Sequence, residues 1–556
     1  MGDVTQSATT KSDKSSQETK VNTEVNHAAS MQNGVVTNVD SEDKSALTDF
    51  QYLRKILNSP VYDAAVNTDL NYLQRLSAEL GNEIWLKRED QQPVKSFKLR
   101  GAYNRISQLN QAQLAKGVVA ASAGNHAQGV AYSAKQKQIK ATIVMPSTTP
   151  EIKVEAVKNF GGDWVEIVLY GDNFDAANAK AYALADEFGY TMIPPFDDPD
   201  VIAGQGTIGR EILEQNPDID MLFIAVGGGG LAAGVATYIK TISPNVKIIA
   251  VEAEDSACLL AAKAQGEPVN LDTVGIFADG VAVRKIGKEP FRLCQKHVDE
   301  FITVTSDEIC AAIKDIFDDT RTIAEPAGAI SIAAIRKYVR ENDVQGKKLG
   351  GILCGANINF HTLRYVSERC ELGEQKEAVF AVKIPEKKGA FRKFCMLMGS
   401  RAITEFNYRF ATQNDAHIFV GTRLRGGLPE FHGLTQTLEQ KGYEWFDLSN
   451  DETAKLHVRY MVGGRPSVLP NEHIFSFKFP EAPGALMRFL ETLGEQWNIT
   501  LFHYRNHGAA EGMVLAGFDV PEAEFSRFQG YLDELSYEYT EQTDNPAYRF
   551  FLSDCQ

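Results

Sequence analysis

The stretch MLFIAVGGGGLAAGVATYI, from Met221 to Ile239, decides the fold of this chain. It carries no charged residue over about the length needed to span a lipid bilayer, so a membrane helix is one interpretation. The four consecutive glycines, Gly227 to Gly230, argue against it because glycine is a poor helix former. The stretch therefore predicts a buried strand, a glycine turn and a buried helix.

The regions on both sides repeat this alternation of apolar runs and helical patterns. Between Tyr52 and Glu371 the runs GVVAAS, ATIVMP, DWVEIVL, MLFIAV, KIIAVEA and KKLGGILCG are separated by amphipathic segments. Strands that alternate with helices indicate βαβ units and a mostly parallel sheet covered by helices, which is the α/β class. Active sites of such folds lie at the carboxyl ends of the strands.

Composition and charge exclude several classes of protein. The chain has 556 residues, 44% hydrophobic and 23% charged, which is typical of a globular protein with about three to four domains. A net charge of −16 repels phosphate backbones, so we do not expect nucleic acid as a partner. The seven cysteines include no CxxC pair, which favours free thiols in the cytoplasm. Residues 1–48 are polar without an apolar face and predict a disordered tail without a targeting signal.

An internal repeat follows the α/β region. The segment FAVKIPEKKGAFRKFCMLMGSRAITEFNYR, Phe380 to Arg409, aligns with FSFKFPEAPGALMRFLETLGEQWNITLFHYR, Phe475 to Arg505, with one inserted residue. Such a match indicates a duplicated small module rather than more of the catalytic sheet. We therefore predict a catalytic domain at 49–372 and two modules at 373–464 and 465–556, with GGRP, Gly463 to Pro466, as the linker between them.

Two motifs carry residue types suited to chemistry. In SFKLRGA, Ser96 is placed to cap a helix whose first turn presents Lys98, although an ordinary surface lysine is the alternative. In ASAGNHAQG, Ala121 to Gly129, a strand ends and a helix begins, so backbone N–H groups can face a carboxylate or phosphate. The alternative there is a simple turn with an asparagine cap. His126 is expected to be packed or hydrogen-bonded rather than catalytic.

The glycine turn also has two interpretations. Each glycine costs roughly 1 kcal/mol of chain entropy against alanine, unless the backbone approaches a ligand or takes a positive φ, and a phosphate is the expected ligand. The pattern Gly227-x-Gly229-x-x-Ala232 also matches a dinucleotide fingerprint, with Glu252 placed as a ribose-binding acid. Its late position in the βα series argues against a nicotinamide enzyme.

Taken together, SFKLRGA, SAGNHAQG, GGGGL and CGAN, Cys354 to Asn357, resemble the tryptophan-synthase-like (fold type II) family of pyridoxal-phosphate enzymes. The resemblance runs from about Tyr52 to the C-terminus. It implies a catalytic domain of two parallel-sheet α/β subdomains, followed by two ACT-like α+β regulatory modules. The implied activity is that of a lyase that dehydrates and deaminates L-threonine to 2-oxobutanoate and ammonia, at the start of isoleucine synthesis.

The resemblance further implies pyridoxal 5'-phosphate as cofactor, L-serine as a slower substrate, isoleucine as inhibitor, valine as its antagonist, and a homotetramer. Lys98 would hold the cofactor as a Schiff base and serve as general base. Asn125 would bind the ring hydroxyl, and Cys354 would face the pyridine nitrogen. The phosphate would be bound by Gly227, Gly228, Gly229, Gly230 and Leu231. The substrate carboxylate would be bound by Ser122, Ala123, Gly124 and Asn125.

Two further expectations concern the effector and metal sites. Tyr408 and Tyr504, at equivalent positions of the two ITxFxYR strands, are the candidate effector-binding residues, and core aromatics are the alternative. Some relatives bind a divalent metal after the strand carrying VEAEDSAC, Val251 to Cys258. Here Ser256 and Cys258 replace the oxygen-rich ligands that hard cations prefer, so no metal is predicted.

Overall fold

The structure is a computed structural model, and it describes residues 46–275, 277–360, 362–385, 387–399, 401–409, 415–451, 455, 471–480, 485–493, 496–505, 511–535 and 537–545. The tail predicted at 1–48 lies outside these ranges except for its last residues, and the predicted linker Gly463 to Pro466 lies outside them entirely. Within the described ranges, no helix combines the length and the apolar character needed to cross a lipid bilayer.

The catalytic region alternates strands and helices, as predicted from its apolar runs. Its strands are β1 (Leu70–Tyr72), β2 (Glu83–Arg88), β3 (Val118–Ala121), β4 (Ala141–Met145), β5 (Val165–Leu169), β6 (Thr191–Met192), β7 (Met221–Ala225), β8 (Lys247–Ala253), β9 (Glu300–Val304) and β10 (Lys348–Leu353). The stretch that decided the fold divides into β7, the glycine turn and a helix, so the membrane interpretation of that stretch is wrong.

These strands form two sheets. The larger has the order β1-β2-β10-β7-β8-β9 and is parallel except for β1, which pairs antiparallel with β2. The smaller has the order β5-β4-β3-β6 and is parallel throughout. The sheets confirm the predicted pair of α/β subdomains. Parallel strands need crossover connections, and helices supply them here.

The helices of this region and of its C-terminal connection cover both sheets. They are α1 (Asp49–Leu57), α2 (Gln74–Leu80), α3 (Lys98–Ser107), α4 (Gln111–Lys116), α5 (Asn125–Lys137), α6 (Glu151–Gly161), α7 (Phe174–Phe188), α8 (Pro199–Gln215), α9 (Gly230–Ile242), α10 (Cys258–Gln265), α11 (Lys288–His297), α12 (Ser306–Thr320), α13 (Pro326–Asn342) and α14 (Thr362–Gly373).

The C-terminal region is the predicted duplication. Its strands and helices are β11 (Glu377–Pro385), α15 (Ala390–Met398), β12 (Ile403–Arg409), β13 (Asp415–Arg423), α16 (Leu428–Gln440), β14 (Glu444–Asp447), β15 (Glu472–Pro480), α17 (Ala485–Leu493), β16 (Asn498–Arg505), β17 (Glu511–Asp519), α18 (Phe525–Leu535) and β18 (Tyr539–Glu541). Each half therefore has the order βαββαβ. Together the halves form one antiparallel sheet in the order β14-β11-β13-β12-β16-β17-β15-β18.

The two ITxFxYR strands meet at the centre of this sheet. They pair antiparallel, with Asn407 opposite His503, Phe406 opposite Tyr504 and Tyr408 opposite Phe502. Asn407 and His503 occupy equivalent places in the repeat and lie directly opposite each other. The local twofold axis that relates the two modules therefore passes between these two residues. Because the central strands pair directly, the two modules share one sheet and one apolar core.

Helix α14 connects the catalytic domain to the first module. It packs along α12, and a Cβ on its last residue, Gly373, would lie 1.9 Å from the carbonyl oxygen of Asp307. The same joint is charged: Glu374 forms ion pairs with Lys314 of α12 and with Lys376. Close packing and ion pairs thus fix the start of the regulatory region on the catalytic domain.

Candidate active site

Lys98 is the first residue of α3, as the sequence predicted, but the helix is not capped as predicted. Phe97 occupies the cap position without a side-chain hydrogen bond, so the expected Ser96 cap is wrong. Ser96 instead pairs with Gly355 in an isolated β-bridge, and the Phe97 N–H donates to the Cys354 carbonyl at 3.1 Å. The backbone that precedes α3 is therefore fixed by the loop after β10.

The Lys98 amine lies in a site that favours its neutral form. Its side chain is half-buried, and Nζ donates to the carbonyl of Pro195 at 3.2 Å. Burial lowers the pKa of Lys98 to about 8, against the opposing effects of Cys354 and Glu325. An amine with such a pKa holds and releases a proton near neutral pH, as a catalytic base must. The interpretation of Lys98 as an ordinary surface lysine is therefore wrong.

A buried ionic network anchors the helix that carries this lysine. Arg100 forms ion pairs with Glu89 at 2.7 Å and with Glu211 of α8 at 2.5 Å, and Lys87 of β2 reaches Glu211 at 2.7 Å. All four side chains are fully buried. A buried charge must be paired to be tolerated, so this network fixes α3 against both β2 and α8.

The SAGN turn lies between β3 and α5. The Gly124 N–H donates to the Ser122 hydroxyl at 3.3 Å, and a Cβ on Gly124 would meet no atom within 4 Å. Asn125 begins α5, and its amide is oriented by two partners: Nδ2 donates to Glu325 at 2.6 Å, and Oδ1 accepts from Asn357 Nδ2 at 2.7 Å. The turn thus presents open space beside Gly124 and an asparagine of fixed orientation.

The glycine loop joins β7 to α9 and leaves no room for side chains. Gly229 has a φ of 88°, which favours glycine. A Cβ would lie 2.9 Å from Val281 at Gly227, and 2.1 Å from the Phe196 ring at Gly228. At Gly230 it would lie 3.0 Å from Phe196. These contacts explain the run of glycines and form a turn at the start of a helix, where backbone N–H groups suit an anion.

Cys354 follows β10 and is buried. Its thiol faces the Ile352 carbonyl at a donor–acceptor distance of 3.6 Å, and burial raises its pKa well above the ordinary value. The group is therefore a neutral thiol at neutral pH. With the loop to Asn357, it brings the end of β10 next to both Lys98 and Asn125.

Glu325 is a site residue to which the sequence assigned no role. It is the first residue of the stretch EPAGA, Glu325 to Ala329, immediately before α13, and it is buried. Its carboxylate accepts from Asn125 at 2.6 Å and from the Asn357 N–H at 3.0 Å. Burial, with Asp279 adding to the effect, raises its pKa to about 7. The stretch EPAGA was the only sequence signal for Glu325. The contact between Asn125 and Glu325 could not be predicted, because the two residues are 200 positions apart along the chain.

Other candidates lie outside this arrangement. His126 Nε2 contacts the Ile193 carbonyl at 2.8 Å, and burial lowers its pKa to about 3, so it is a neutral packed side chain. Glu252 accepts from the N–H groups of Leu259 and Leu260 at 2.7 and 2.9 Å. Its carboxylate is thus held by the start of α10, which removes the ribose-binding acid that a nicotinamide enzyme would require.

Lys98, the SAGN turn, the glycine loop and Cys354 lie at the carboxyl ends of strands in a two-sheet α/β domain, the arrangement of the fold type II pyridoxal-phosphate enzymes. The family described as pyridoxal-phosphate dependent enzyme matches residues 61–355. The C-terminal regulatory domain of threonine dehydratase matches twice, at 368–458 and 463–552. This chain belongs to the biosynthetic threonine dehydratase family.

Relatives from bacteria and fungi match nearly the whole chain. L-threonine dehydratase biosynthetic IlvA of Escherichia coli K12 is 58% identical over 90% of this chain and 97% of its own. The mitochondrial threonine dehydratase of Saccharomyces cerevisiae is 48% identical over 90% of this chain and 89% of its own. Among solved structures, the processed threonine deaminase isoform 2 of Solanum lycopersicum matches at 48% identity and a TM-score of 0.57, covering 60% of this chain and 94% of that one.

The family is pyridoxal-phosphate dependent, and three observations show that the residues present fit this cofactor. The buried Ser96 hydroxyl, two residues before Lys98, has no hydrogen-bond partner among the described residues. The side of Gly124 is open, and the glycine loop is free of side chains. The aldehyde of the cofactor requires an amine, which the half-buried Lys98 supplies. Its anionic phosphate requires hydrogen-bond donors, which the Ser96 hydroxyl and the glycine turn at the start of a helix supply.

Proposed function

We propose that this protein converts L-threonine to 2-oxobutanoate and ammonia with pyridoxal 5'-phosphate, and L-serine more slowly to pyruvate. The observation that carries the proposal is the chain of contacts that joins Lys98 to the SAGN turn, the loop after β10 and the glycine loop. The names of the relatives support the choice of threonine. L-serine lacks one methyl group, which an apolar pocket can discriminate by only about 1 to 3 kcal/mol.

We assign the cofactor to Lys98, Asn125, the loop Gly227 to Leu231, and Cys354. When bound, pyridoxal phosphate supplies an electron sink for negative charge at the substrate Cα. Lys98 is proposed to hold the cofactor and, when free, to take the Cα proton, and its lowered pKa and its hydrogen bond to Pro195 support this. The four glycines put no side chain of their own between the loop backbone and the phosphate, and their closely packed surroundings hold the loop in place.

We assign the substrate carboxylate to the turn Ser122 to Asn125. The open space at Gly124 and the N–H groups at the start of α5 support this assignment. Glu325 accepts one hydrogen of the Asn125 amide, and Asn357 occupies its oxygen, so the remaining amide hydrogen is presented as a donor. A donor at this position stabilises an ionised ring hydroxyl.

We place Cys354 at the pyridine nitrogen. A neutral thiol cannot hold a proton on that nitrogen as an aspartate would, so the electron sink is weaker. A weaker sink favours prompt loss of the β-hydroxyl over accumulation of negative charge at Cα. The burial that keeps the thiol neutral therefore supports an elimination rather than a slow exchange of the Cα proton.

We further propose that isoleucine, as inhibitor, and valine, as its antagonist, bind the regulatory modules. A cleft lies between them and is lined by residues of both modules. Leu490, Leu493 and Trp497 make one side apolar, and Lys387 and Arg392 provide cations for a carboxylate. Tyr408 lies in this cleft and stacks on Phe391 at 5.2 Å between ring centroids. Tyr408 is also part of the buried shared core, and Tyr504 packs against that core on the same face of the central strands. We assign Tyr504 to an equivalent second site, related to the first by the local twofold rotation.

The remaining proposals concern organisation. We propose that the protein is a homotetramer. We also propose that it is cytoplasmic, since the described cysteines are buried free thiols, as expected in a reducing compartment. We also propose domain boundaries at 372/373 and 464/465. The first is supported by the tight joint at Gly373, and the second falls outside the described residues.

An assay of the full chain for ammonia and keto acid tests the proposal. L-threonine should give 2-oxobutanoate, L-serine should give pyruvate at a lower rate, and isoleucine should suppress both while valine restores them. Addition of NAD should change nothing. Absence of keto acid from either substrate, with pyridoxal phosphate supplied, would refute the assignment.

A further inference from the structure

The segment Ile193 to Asp198 connects β6 to α8 and touches two parts of the active site. The carbonyl of Pro195 accepts from Lys98 Nζ at 3.2 Å. The next residue, Phe196, lies against the glycine loop so closely that a Cβ on Gly228 would lie 2.1 Å from its ring. Two neighbouring residues thus contact the amine and the phosphate-binding loop.

The residue after Phe196, Asp197, is fixed to another helix. Asp197 Oδ2 accepts from the Lys288 N–H at 2.9 Å, and Oδ1 accepts from the Glu289 N–H at 3.1 Å. These are the first two residues of α11, where a carboxylate is favoured by both the free N–H groups and the helix dipole. Both carboxylate oxygens are therefore used to hold the segment on α11.

The same end of α11 also holds the glycine loop. The N–H of Gly287, the residue before α11, donates to the Gly228 carbonyl at 3.2 Å. A Cβ on Gly287 would lie 2.8 Å from the Asp197 carboxyl carbon, so the segment Ile193 to Asp198 touches the start of α11 at this point. Gly228 is accordingly held from one side by Phe196 and from the other by Gly287, and Asp197 ties these two contacts together.

We infer that Asp197 is a positioning residue for cofactor binding, which clamps Phe196 and the start of α11 on the glycine loop and sets that loop at a fixed distance from Lys98. The inference rests on the proposed function, because it takes the glycine loop as the phosphate site and Lys98 as the cofactor lysine. It adds a residue that touches neither the cofactor nor the substrate. Its effect should be confined to ligands that carry the phosphate.

The test uses the full-length holoenzyme and the variants Asp197→Ala and Asp197→Asn. Cofactor release is followed by loss of visible absorbance after dilution into an excess of a carbonyl scavenger. Loss of two charge-assisted contacts to backbone N–H groups should speed release on the order of ten-fold in Asp197→Ala. Asp197→Asn keeps one acceptor oxygen and should fall between Asp197→Ala and the wild type.

Asp198→Asn is the matched control. Asp198 is the neighbouring residue: its Oδ1 caps α8 by accepting from the N–H groups of Asp200 and Val201, and its Oδ2 pairs with Arg105 at 3.0 Å, away from α11 and the glycine loop. Its asparagine variant removes the same charge but can retain that oxygen as acceptor, so release should stay within about two-fold of the wild type. Gly287→Ala is an independent variant, because its φ of −63° admits alanine and its Cβ would press on Asp197 at 2.8 Å and on Pro290 Cδ at 2.9 Å.

A second measurement separates positioning of the loop from a general loss of structure. The cofactor-stripped chain is titrated with pyridoxal phosphate and with pyridoxal. The Asp197 and Gly287 variants should bind pyridoxal phosphate less tightly and pyridoxal as the wild type does. An equal loss for both ligands, or release at the wild-type rate in these variants, would overturn the inference. If borohydride fixes no cofactor on Lys98 of the wild type, the proposed function fails instead.

Discussion

Lys455 lies near the end of the first regulatory module and forms an ion pair with Asp307 of the catalytic domain, with 2.7 Å between Nζ and Oδ2. The Lys455 side chain is only 3% exposed. Asp307 also pairs with Arg369 of α14 at 3.0 Å. One carboxylate at the start of α12 therefore receives one cation from near the end of the first module and another from the helix that enters this module.

This arrangement predicts the effect of Lys455→Met. If effector binding changes the position of the modules, the change must pass through this joint. We expect uninhibited turnover to stay unchanged and the isoleucine concentration for half-inhibition to rise several-fold, with a stability loss of about 1 to 3 kcal/mol. Inhibition curves and thermal unfolding measure these. Lys441→Met, which removes an exposed lysine of the first module, should alter neither, and unchanged inhibition in Lys455→Met would contradict the coupling.

Lys98→Ala should abolish both colour and turnover. Loss of the amine removes the proposed cofactor attachment and the base, so we expect turnover to fall by at least about 100-fold. Visible absorption of the purified protein and the keto-acid assay measure this. Lys95→Ala is the control, since Lys95 is exposed and contributes only backbone hydrogen bonds nearby. Retained colour in Lys98→Ala with loss in Lys95→Ala would reverse the assignment.

Arg100→Met should destabilise the protein strongly. It leaves Glu89 and Glu211 buried with less compensation, and breaking a buried pair costs about 3 to 5 kcal/mol. Denaturant unfolding monitored by tryptophan fluorescence measures the loss. Arg210→Met is the matched control, because Arg210 forms a partly exposed pair with Glu214 four residues away, worth about 0.3 to 0.5 kcal/mol. Similar losses in both variants would show that the buried network is not a major source of stability.

Local patterns predicted the parts of the structure that depend on neighbouring residues. Apolar runs identified β3, β4, β5, β7, β8 and β10, since a buried parallel strand is apolar on both faces. The repeat identified the duplicated module, and the glycine run identified a turn that admits no side chain. Lys98 was placed at the start of a helix on the expectation of a Ser96 cap, and the helix does start there although Ser96 does not cap it.

Contacts between distant segments could not be predicted in this way. Nothing near Ser96 in the sequence indicates that its backbone pairs with Gly355, which is why its expected capping role was wrong. Glu325 and Asn125 are separated by 200 residues, and Asp197 lies about 90 residues before its partners on α11. In the sequence, these carboxylates cannot be distinguished from other acidic residues near a helix start, because their hydrogen-bond donors come from distant segments.

Glu325 should make stability depend on pH in a defined direction. Its pKa is raised from the ordinary value of 4.5 to about 7, so the folded state binds a proton more tightly than the unfolded state does. Its relative contribution to stability is therefore fully present below about pH 4.5 and is lost as the pH rises through about 7. A shift of this size corresponds to a few kcal/mol, on the order of 3, between the two limits.

Glu325→Gln removes this titration while keeping the shape of the side chain. Thermal unfolding of the cofactor-stripped chain should show the wild type losing stability relative to Glu325→Gln between pH 5 and 8, since only the wild type must then bury an ionised carboxylate. Other titrating groups are common to both proteins and cancel in the difference. A difference that is independent of pH would mean that Glu325 is ionised throughout, and the opposite slope would mean that its pKa lies below the ordinary value.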